Sequence, residues 1–446
     1  MQNYLFKNIG VVNENKIIHT DVLVKGGRIC KIASNISELA ACIEINGEGL
    51  HLLPGIIDDQ VHFREPGLTH KATIHSEACA AVAGGVTSFM EMPNTIPNAL
   101  TPEILEEKYQ IAANTSPANF SFFMGVSNTN SEDVLKINNK KKEVCGVKIF
   151  MGSSTGNMLV DNYATLERIF SESELLIATH CEDERIIKQN LQKQLTTGKP
   201  LKPADHPIIR DAEACFSSSL TAIQLAQKFN SRLHVLHITS EKELVLFGNM
   251  LPLAEKRITA EVCVHHLHFT ADDYERLGYK IKCNPAIKSP ENKKALWEGL
   301  LSDKLAVIAT DHAPHLLSEK TGDYFQAHAG LPLVQHGLPL MLYYHHLGKI
   351  SLEKIVEKMC HAVADCFKIN NRGYIREGYF SDLTVVDTRK HFTIKKENLL
   401  YKCGWSPLEG MEIPASVIGT WVNGRQVYGN NRVIASNGGQ RLTFNR

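Results

Sequence analysis

Residues 84–126 decide the fold, because they contain GGVTSFMEM (84–92), PEILEEKYQIAAN (102–114) and NFSFFMGV (119–126) in that order. The first and third segments are nearly continuous apolar runs, as expected of strands that are buried on both faces. The middle segment has the longer, helix-period pattern of apolar residues. A strand, a helix and a second strand in succession indicate a βα unit followed by the next strand of a parallel sheet.

The same alternation continues along the chain. Further apolar runs are GVKIF (146–150), LLIATH (175–180), RLHVLHIT (232–239), RITAEVCV (257–264) and KLAVIATDH (304–312), with helix-period stretches such as YATLERIFSESE (163–174) between some of them. About eight such units fall between residues 54 and 365, which is the size expected of a (β/α)8 barrel with insertions. The sequence therefore predicts an α/β fold built around a TIM-type barrel.

The two ends of the chain share a different pattern, in which short strands are joined by tight turns. NENK (13–16) and KGGR (25–28) are turn signals near the start, and SVIGTWVNGRQVY (416–428) shows the same style after the barrel. Because chain termini often lie close together, we expect both ends to join in one small, β-sandwich-like domain. The predicted boundaries are 1–53 and 368–446 for the two parts of this domain and 54–367 for the barrel.

Composition limits the classes of partner. The 446 residues carry 48 basic and 48 acidic side chains, so no excess positive charge is available to neutralise phosphates. We therefore expect no binding to nucleic acid or to an anionic membrane. The 11 cysteines show no CxxC spacing, which indicates mostly buried, reduced thiols. With no signal peptide and no apolar run near the roughly 20 residues of a membrane helix, we expect a cytoplasmic protein.

Polar and ionisable residues stand at the ends of several predicted strands. In GIIDDQVHFREPG (55–67), side-chain alternation places four such residues on one face. The carboxyl ends of barrel strands meet where active sites form, so these residues should converge with those of other strands. Histidines and a carboxylate without matching thiolates are a ligand set typical of Zn²⁺. The converging residues are Asp58, Gln60, His62 and Arg64 from the first strand, and Lys148, His180, His237 and Asp311 from four others.

Lys148 is the exception in this set, because an ammonium group repels a cation. It fits a metal site only when it is carbamylated by CO2, which turns the side chain into an anionic carboxylate that can bridge two ions. The alternative is a lysine that extends its ammonium group away from the strand end into water.

Taken together, these motifs give the chain a family resemblance. It resembles the dihydroorotases, cyclic amidohydrolases of the amidohydrolase superfamily, over nearly its whole length. HFREPG, MPNT and DHAPH are specific in combination, although each alone is weak. The motifs that carry the resemblance are HFREPG (62–67), AGGVTSFMEMPNT (83–95), GVKIFM (146–151), ATH (178–180), LHVLHIT (233–239), AEVCVHHL (260–267), NPAIKS (284–289), TDHAPH (310–315) and SPLEG (406–410).

The resemblance implies a metal centre. His62 would ligate the first metal ion, and Lys148 in its N6-carboxylated form would bridge the two ions. His180 and His237 would hold the second ion. Asp311 would contact the first ion and act as the general acid and base.

The resemblance also implies a site for the substrate. Arg64, Asn94 and His315 would bind a free carboxylate of the substrate, for which a guanidinium group is a suitable bidentate partner. Asn284 and the backbone at Ala329 and Gly330 would hold the ring. The loop GSSTGNM (152–158) is a candidate lid that supplies hydroxyl donors from Ser154 or Thr155, with a plain surface loop as the alternative.

One position departs from the family pattern. The family has His-x-His in the first strand, whereas this chain has Gln60 before His62. A neutral amide oxygen is a poorer Zn²⁺ ligand than imidazole, so the first position should be weakened and the chain should hold one or two zinc ions. A catalytically inactive relative is the alternative. A second histidine cluster, His265, His266 and His268, matches a family pattern that supplies no metal ligands and is assigned structural roles.

The implied activity is the reversible cyclisation of N-carbamoyl-L-aspartate to (S)-dihydroorotate in pyrimidine synthesis, with a metal-activated hydroxide in the hydrolytic direction. Two alternatives remain open. The first is an allantoinase or a hydantoinase on the same scaffold, and the second is a non-catalytic partner of aspartate transcarbamoylase. A homodimer is a further expectation that the family supplies.

Overall fold

The N-terminal part of the chain forms strands that belong to one sheet. The computed structural model describes residues 2–37, 42–153 and 158–446. β1 pairs with β2 in antiparallel and with β4 and β5 in parallel orientation. The first strands are β1 (Asn3–Asn13), β2 (Lys16–Lys25), β3 (Arg28–Ala33), β4 (Cys42–Asn46) and β5 (His51–Pro54).

Parallel strands of the central barrel follow. They are β6 (Ile56–Val61), β7 (Val86–Glu91), β8 (Asn119–Phe122), β9 (Met124–Gly125), β10 (Val147–Phe150), β11 (Ile177–His180), β12 (Leu233–Val235), β13 (Ile258–Cys263) and β14 (Val307–Ala309). Only Phe123 separates β8 from β9, so these two segments occupy one position in the barrel. The barrel therefore has eight strand positions, in chain order around its axis.

The barrel closes between its first and last strands. Val61 forms a parallel bridge with His312, and the His62 N–H donates a hydrogen bond to the His312 carbonyl at 2.7 Å. β7 is joined to the β8–β9 position by a hydrogen bond from Phe123 N–H to the Glu91 carbonyl at 3.1 Å. These contacts confirm the predicted (β/α)8 barrel.

Helices surround the barrel, and several begin at capping residues. The Thr101 side chain accepts a hydrogen bond from the Ile104 N–H ahead of Pro102, and the Asp211 side chain accepts one from the Ala214 N–H. The helices are α1 (Ile74–Ala83), α2 (Pro102–Thr115), α3 (Ser131–Lys136), α4 (Tyr163–Glu172), α5 (Glu184–Leu195), α6 (His206–Ile209), α7 (Ala212–Phe229), α8 (Val264–His268), α9 (Asp273–Leu277), α10 (Pro290–Leu301), α11 (Gly337–His346), α12 (Leu352–Val356) and α13 (Ala362–Phe367). Within the described ranges, none of them is both long and apolar enough to cross a membrane.

Four C-terminal strands complete the sheet that the N-terminal strands begin, whereas β16 and β17 pair with each other in a separate two-stranded sheet. β15 lies antiparallel to β5, with Leu383 opposite Pro54, so one nine-stranded sheet contains both ends of the chain. This arrangement matches the predicted joining of the two ends, whereas the exact domain boundaries stay a prediction. The C-terminal strands are β15 (Leu383–Asp387), β16 (Phe392–Thr393), β17 (Glu412–Ile413), β18 (Ser416–Val422), β19 (Arg425–Gly429) and β20 (Arg432–Val433).

A buried carboxylate links this sheet to the barrel. Asp382 forms an ion pair with Arg372 and accepts hydrogen bonds from the Asn119 side chain at 3.1 Å and the Asn423 N–H at 2.8 Å. Asn119 belongs to β8, whereas Asp382 directly precedes β15. Asp382 therefore satisfies polar groups from both parts of the fold at once.

We expect Asp382→Ala to lower the free energy of unfolding by about 3 kcal/mol or more, because it leaves the Arg372 guanidinium buried without its carboxylate. Denaturant unfolding followed by circular dichroism measures the loss. Glu132→Ala is the matched control, since it breaks an exposed ion pair with Arg168 and should cost less than about 1 kcal/mol. Equal losses in the two variants would contradict the linking role of Asp382.

Candidate active site

A narrow cleft lies at the carboxyl ends of the barrel strands. It brings together most of the site residues that the sequence predicts, from seven strands and the loops that follow them. His315 lies behind the wall of the cleft, and Ser154 and Thr155 fall outside the described residues. The lining residues are Gln60, His62, Arg64, Asn94, Lys148, Phe150, His180, His237, Asn284, Asp311, Ala313, Ala329 and Gly330.

His62, Gln60 and Asp311 form one group in the cleft. His62 Nε2 lies 3.2 Å from Asp311 Oδ1, and the Gln60 amide nitrogen donates to the same oxygen at 3.2 Å. His62 Nδ1 lies 2.7 Å from the Asn94 side-chain oxygen, which only accepts, so Nδ1 carries the ring proton. Burial lowers the pKa of His62. The neutral imidazole therefore directs the lone pair of Nε2 towards Asp311.

Lys148, His180 and His237 form the second group. His180 Nδ1 lies 3.0 Å from His237 Nε2, and burial lowers the pKa of both imidazoles. Lys148 is buried, and its Nζ makes no hydrogen bond with any residue in the described ranges. Burial lowers the pKa of Lys148 to about 7. A substantial share of this side chain is therefore the free amine at neutral pH.

A buried ion pair supports His180 from behind. Glu182 Oε2 lies 3.0 Å from His180 Nε2 and also pairs with Arg210, whose other nitrogen donates to the Ser153 carbonyl at 2.8 Å. Burial alone would raise the pKa of Glu182, but the Arg210 guanidinium and His180 lower it to about 2. The sequence prediction missed Glu182 and Arg210, although Glu182 stands two residues after His180.

The other end of the cleft is positively charged. Arg64 donates from Nε to the Pro314 carbonyl at 3.1 Å, and its Nη2 lies 3.1 Å from His315 Nε2. Lys71 is buried and lies 3.0 Å from His315 Nδ1 and 2.9 Å from a Glu319 carboxylate oxygen. Two cations and one carboxylate leave this end with a net positive charge when His315 is neutral.

His315 is held on both of its ring nitrogens. Lys71 Nζ lies beside Nδ1, whereas Nε2 lies 3.1 Å from Arg64 Nη2 and 3.0 Å from the Ala329 carbonyl oxygen. Burial and the Arg64 guanidinium hold the pKa of His315 well below its usual range. The sequence prediction missed Lys71 and Glu319, because neither stands at the end of a barrel strand.

Asn284 and the Ala329–Gly330 backbone line the cleft beside these cations. The Asn284 side-chain oxygen lies 3.1 Å from His206 Nε2, which fixes the orientation of the amide. Gly330 has φ +140°, and a Cβ at this position would lie 2.4 Å from the Ala313 carbonyl oxygen. Only glycine permits this close approach of the backbone to the cleft.

Comparison with known proteins agrees with this geometry. Residues 51–427 match the model of the amidohydrolase family. A dihydroorotase of Methanosarcina acetivorans is 32% identical over 92% of this chain and 89% of its own, and an allantoinase of Desulfitobacterium hafniense is 29% identical over 98% of both chains. The structure of an L-hydantoinase from Arthrobacter aurescens superposes with a TM-score of 0.94 at 26% identity, covering 99% of this chain and 100% of the hydantoinase. The match to the family model and the identity to the Methanosarcina protein together place the chain in the amidohydrolase family.

Proposed function

We propose that the protein is a dihydroorotase, which interconverts N-carbamoyl-L-aspartate and (S)-dihydroorotate in pyrimidine synthesis. The observation that carries this proposal is the positive end of the cleft, where Arg64 lines the same space as the candidate metal ligands and His315 lies directly behind it. Dihydroorotate has both a ring amide and a free carboxylate, so it suits a cleft with these two halves. Relatives named dihydroorotase at 30–32% identity over most of the chain support the proposal.

The second group of donors suits a divalent metal such as zinc. His180 and His237 are neutral and converge, and the Lys148 amine has the unprotonated form whose nitrogen adds to CO2 and loses a proton to solvent, which gives an anionic carbamate. At the first position, Gln60 directs its N–H towards Asp311, so His62 and Asp311 are the better ligands there. We therefore propose one or two zinc ions per chain. The position formed by Lys148, His180 and His237 has the more complete set of ligands.

Different side chains would have separate roles in the reaction. A bound metal ion would supply Lewis-acid activation of water and of the ring carbonyl. Asp311 would take the proton of the attacking water and pass it to the leaving ring nitrogen, and it would return the proton in the cyclisation direction. Arg64, Asn94 and His315 would hold the substrate carboxylate, while Asn284, Ala329 and Gly330 would orient the ring. Ser154 and Thr155 stay predicted lid donors.

An allantoinase is the second candidate, favoured by the 29% identity with the Desulfitobacterium protein over nearly the whole chain. Its ring substrate has no carboxylate, so it would leave Arg64 without an ionic partner in the cleft. We also propose a cytoplasmic location and a homodimer, in keeping with the family resemblance. Association with aspartate transcarbamoylase is a further proposal, and a non-catalytic partner would bind metal without turning over dihydroorotate.

Arg64→Met should lower kcat/KM for dihydroorotate by about 10²-fold or more, because the substrate carboxylate loses charge-assisted hydrogen bonds. Steady-state hydrolysis by the wild type and the variant, with dihydroorotate and with allantoin, measures the effect. Arg185→Met is the matched control, since Arg185 is exposed and pairs only locally with Asp183. If the wild type hydrolyses allantoin but not dihydroorotate, the protein is an allantoinase and the proposal is wrong.

Metal removal tests the role of Lys148. After chelation and dialysis at acid pH to release metal and CO2, zinc with bicarbonate should restore activity and zinc alone should not. Because the pKa of Lys148 is lowered to about 7, the free amine predominates above that pH, and the rate of reactivation should rise as the pH increases through 7. Lys148→Gln should abolish both activity and the bicarbonate effect. Full recovery with zinc alone would show that no carbamate forms.

Lys71→Met should raise KM for dihydroorotate by about tenfold and change kcat little, because Lys71 contacts His315 Nδ1 and positions its ring behind Arg64. Lys71→Arg keeps the positive charge and should recover part of the loss. Lys358→Met serves as the control, since this buried lysine pairs with Asp303 away from the cleft and should leave KM unchanged. A fall in kcat with constant KM would assign Lys71 to the chemical step instead.

A further inference from the structure

A second cluster of potential metal ligands lies at the end of the seventh barrel strand. It consists of Cys263, the last residue of β13, and His265 and His266 in α8. All three side chains are buried, and one ligand atom of each lies within 4.8 Å of the others. The family resemblance assigns no metal to this pair of histidines, and the cluster adjoins the proposed active site through Gln60.

His265 has unused hydrogen-bonding capacity. Both of its ring nitrogens are buried, and neither completes a hydrogen bond with any group in the part of the chain that the structure describes. Burial lowers the pKa of His265 to about 4, although the nearby Thr310 carbonyl acts in the opposite direction. The ring is therefore neutral. A buried nitrogen lone pair that accepts no hydrogen bond is unfavourable, and a bound metal ion would satisfy it.

His266 has the tautomer of a metal ligand. Its Nε2 lies 3.1 Å from the Pro285 carbonyl, which only accepts, so Nε2 carries the proton. The lone pair is left on Nδ1, which is buried and has no hydrogen-bond partner among the described residues. Metal-bound histidines characteristically donate their other N–H to a carbonyl or carboxylate in this way.

Cys263 adds a thiol in a negatively charged environment. Its Sγ lies 3.6 Å from the Gln60 amide oxygen and 3.8 Å from Glu261 Oε1, distances that allow only weak hydrogen bonds. Burial, together with the carboxylates of Glu261 and Asp311, raises the pKa of this thiol well above its usual range. Because His234 pairs with Glu261, Asp311 is the carboxylate that would favour a cation, on whose binding the thiol proton passes to solvent and the thiolate becomes a ligand.

We propose that Cys263, His265 and His266 bind a divalent metal of the zinc or cobalt(II) type, with the Gln60 amide oxygen facing the site as a neutral fourth ligand. One thiolate and two imidazoles are a donor set that zinc takes in tetrahedral sites. The Gln60 amide nitrogen donates to Asp311, which leaves its oxygen on the side of Cys263. The replacement of a family histidine by Gln60 thus removes a ligand from one metal position and supplies an oxygen to another.

A second buried group, Asp59, His234 and Glu261, shows the opposite behaviour. His234 Nε2 lies 3.2 Å from Asp59 and 3.3 Å from Glu261. Burial would lower the pKa of His234, but the two carboxylates raise it to about 9. An imidazolium proton already neutralises charge in that group, so it needs no metal. The neutral Cys263 cluster has no such internal cation.

Cobalt(II) substitution tests the proposal, because only a thiolate ligand gives the sulfur-to-cobalt charge-transfer band in the near ultraviolet. The cobalt-loaded wild type should show the band, and Cys263→Ser should lose it. Cys360→Ser is the control for a distant buried thiol, and Cys283→Ser for the other thiol near His266, at 3.9 Å from Nε2. Both controls should keep the band. Its absence from the wild type, or its survival in Cys263→Ser, would overturn the proposal.

X-ray absorption at the zinc edge provides a test that needs no variant. Wild-type enzyme loaded with zinc should show a Zn–S distance of about 2.3 Å, whereas a shell of nitrogen and oxygen alone would overturn the proposal. Hydrolysis of dihydroorotate is measured on the same sample. An active enzyme without a Zn–S distance rejects only the thiolate site, and a Zn–S distance in an enzyme inactive on dihydroorotate rejects only the proposed function.

Discussion

Closure of the barrel is the constraint on which the rest of the structure depends. The hydrogen bond from the His62 N–H to the His312 carbonyl joins the first strand to the last, which are separated by some 250 residues of sequence. It places His62 beside Asp311, although no local interaction along the chain could bring them together. The intervening strands then deliver Lys148, His180 and His237 to the same face. A barrel that failed to close would leave each of these side chains as an isolated polar group at the end of an apolar strand.

Burial determines the protonation states of these side chains, and it also costs free energy because the polar groups lose contact with water. Removing them from water lowers the pKa of His62, His180 and His237, so all three present lone pairs rather than positive charges. The same effect brings the pKa of Lys148 to about 7. The fold limits the cost locally, since Glu182 and Arg210 neutralise each other behind His180. Ligand character in this cleft therefore follows from exclusion of water by the surrounding strands.

The sequence was sufficient to predict the fold and most of the cleft, because strand alternation and strand ends are local properties of the chain. Gln60, His62 and Arg64 share one face for that reason, and their convergence with Asp311 follows from the barrel alone. Lys71 and Glu319 could not be predicted in this way, because Lys71 lies in a turn, Glu319 lies in a short 3-10 helix, and they meet His315 only in three dimensions. The free lone pair of His266 depends on one carbonyl, that of Pro285, whose position no spacing rule specifies.

The cleft has two halves with different roles, because one suits the ring amide and the other suits an anionic group. The half with Lys148, His180 and His237 suits any cyclic amide, which is consistent with dihydroorotase, allantoinase and hydantoinase relatives on one scaffold. Choice among their substrates must then reside in the other half, where Arg64 and Lys71 exceed the single carboxylate of Glu319. Because an unneutralised buried cation is costly, this half is most stable when an anionic group of the substrate occupies it. The excess charge therefore argues for a substrate with its own carboxylate, independently of the names of the relatives.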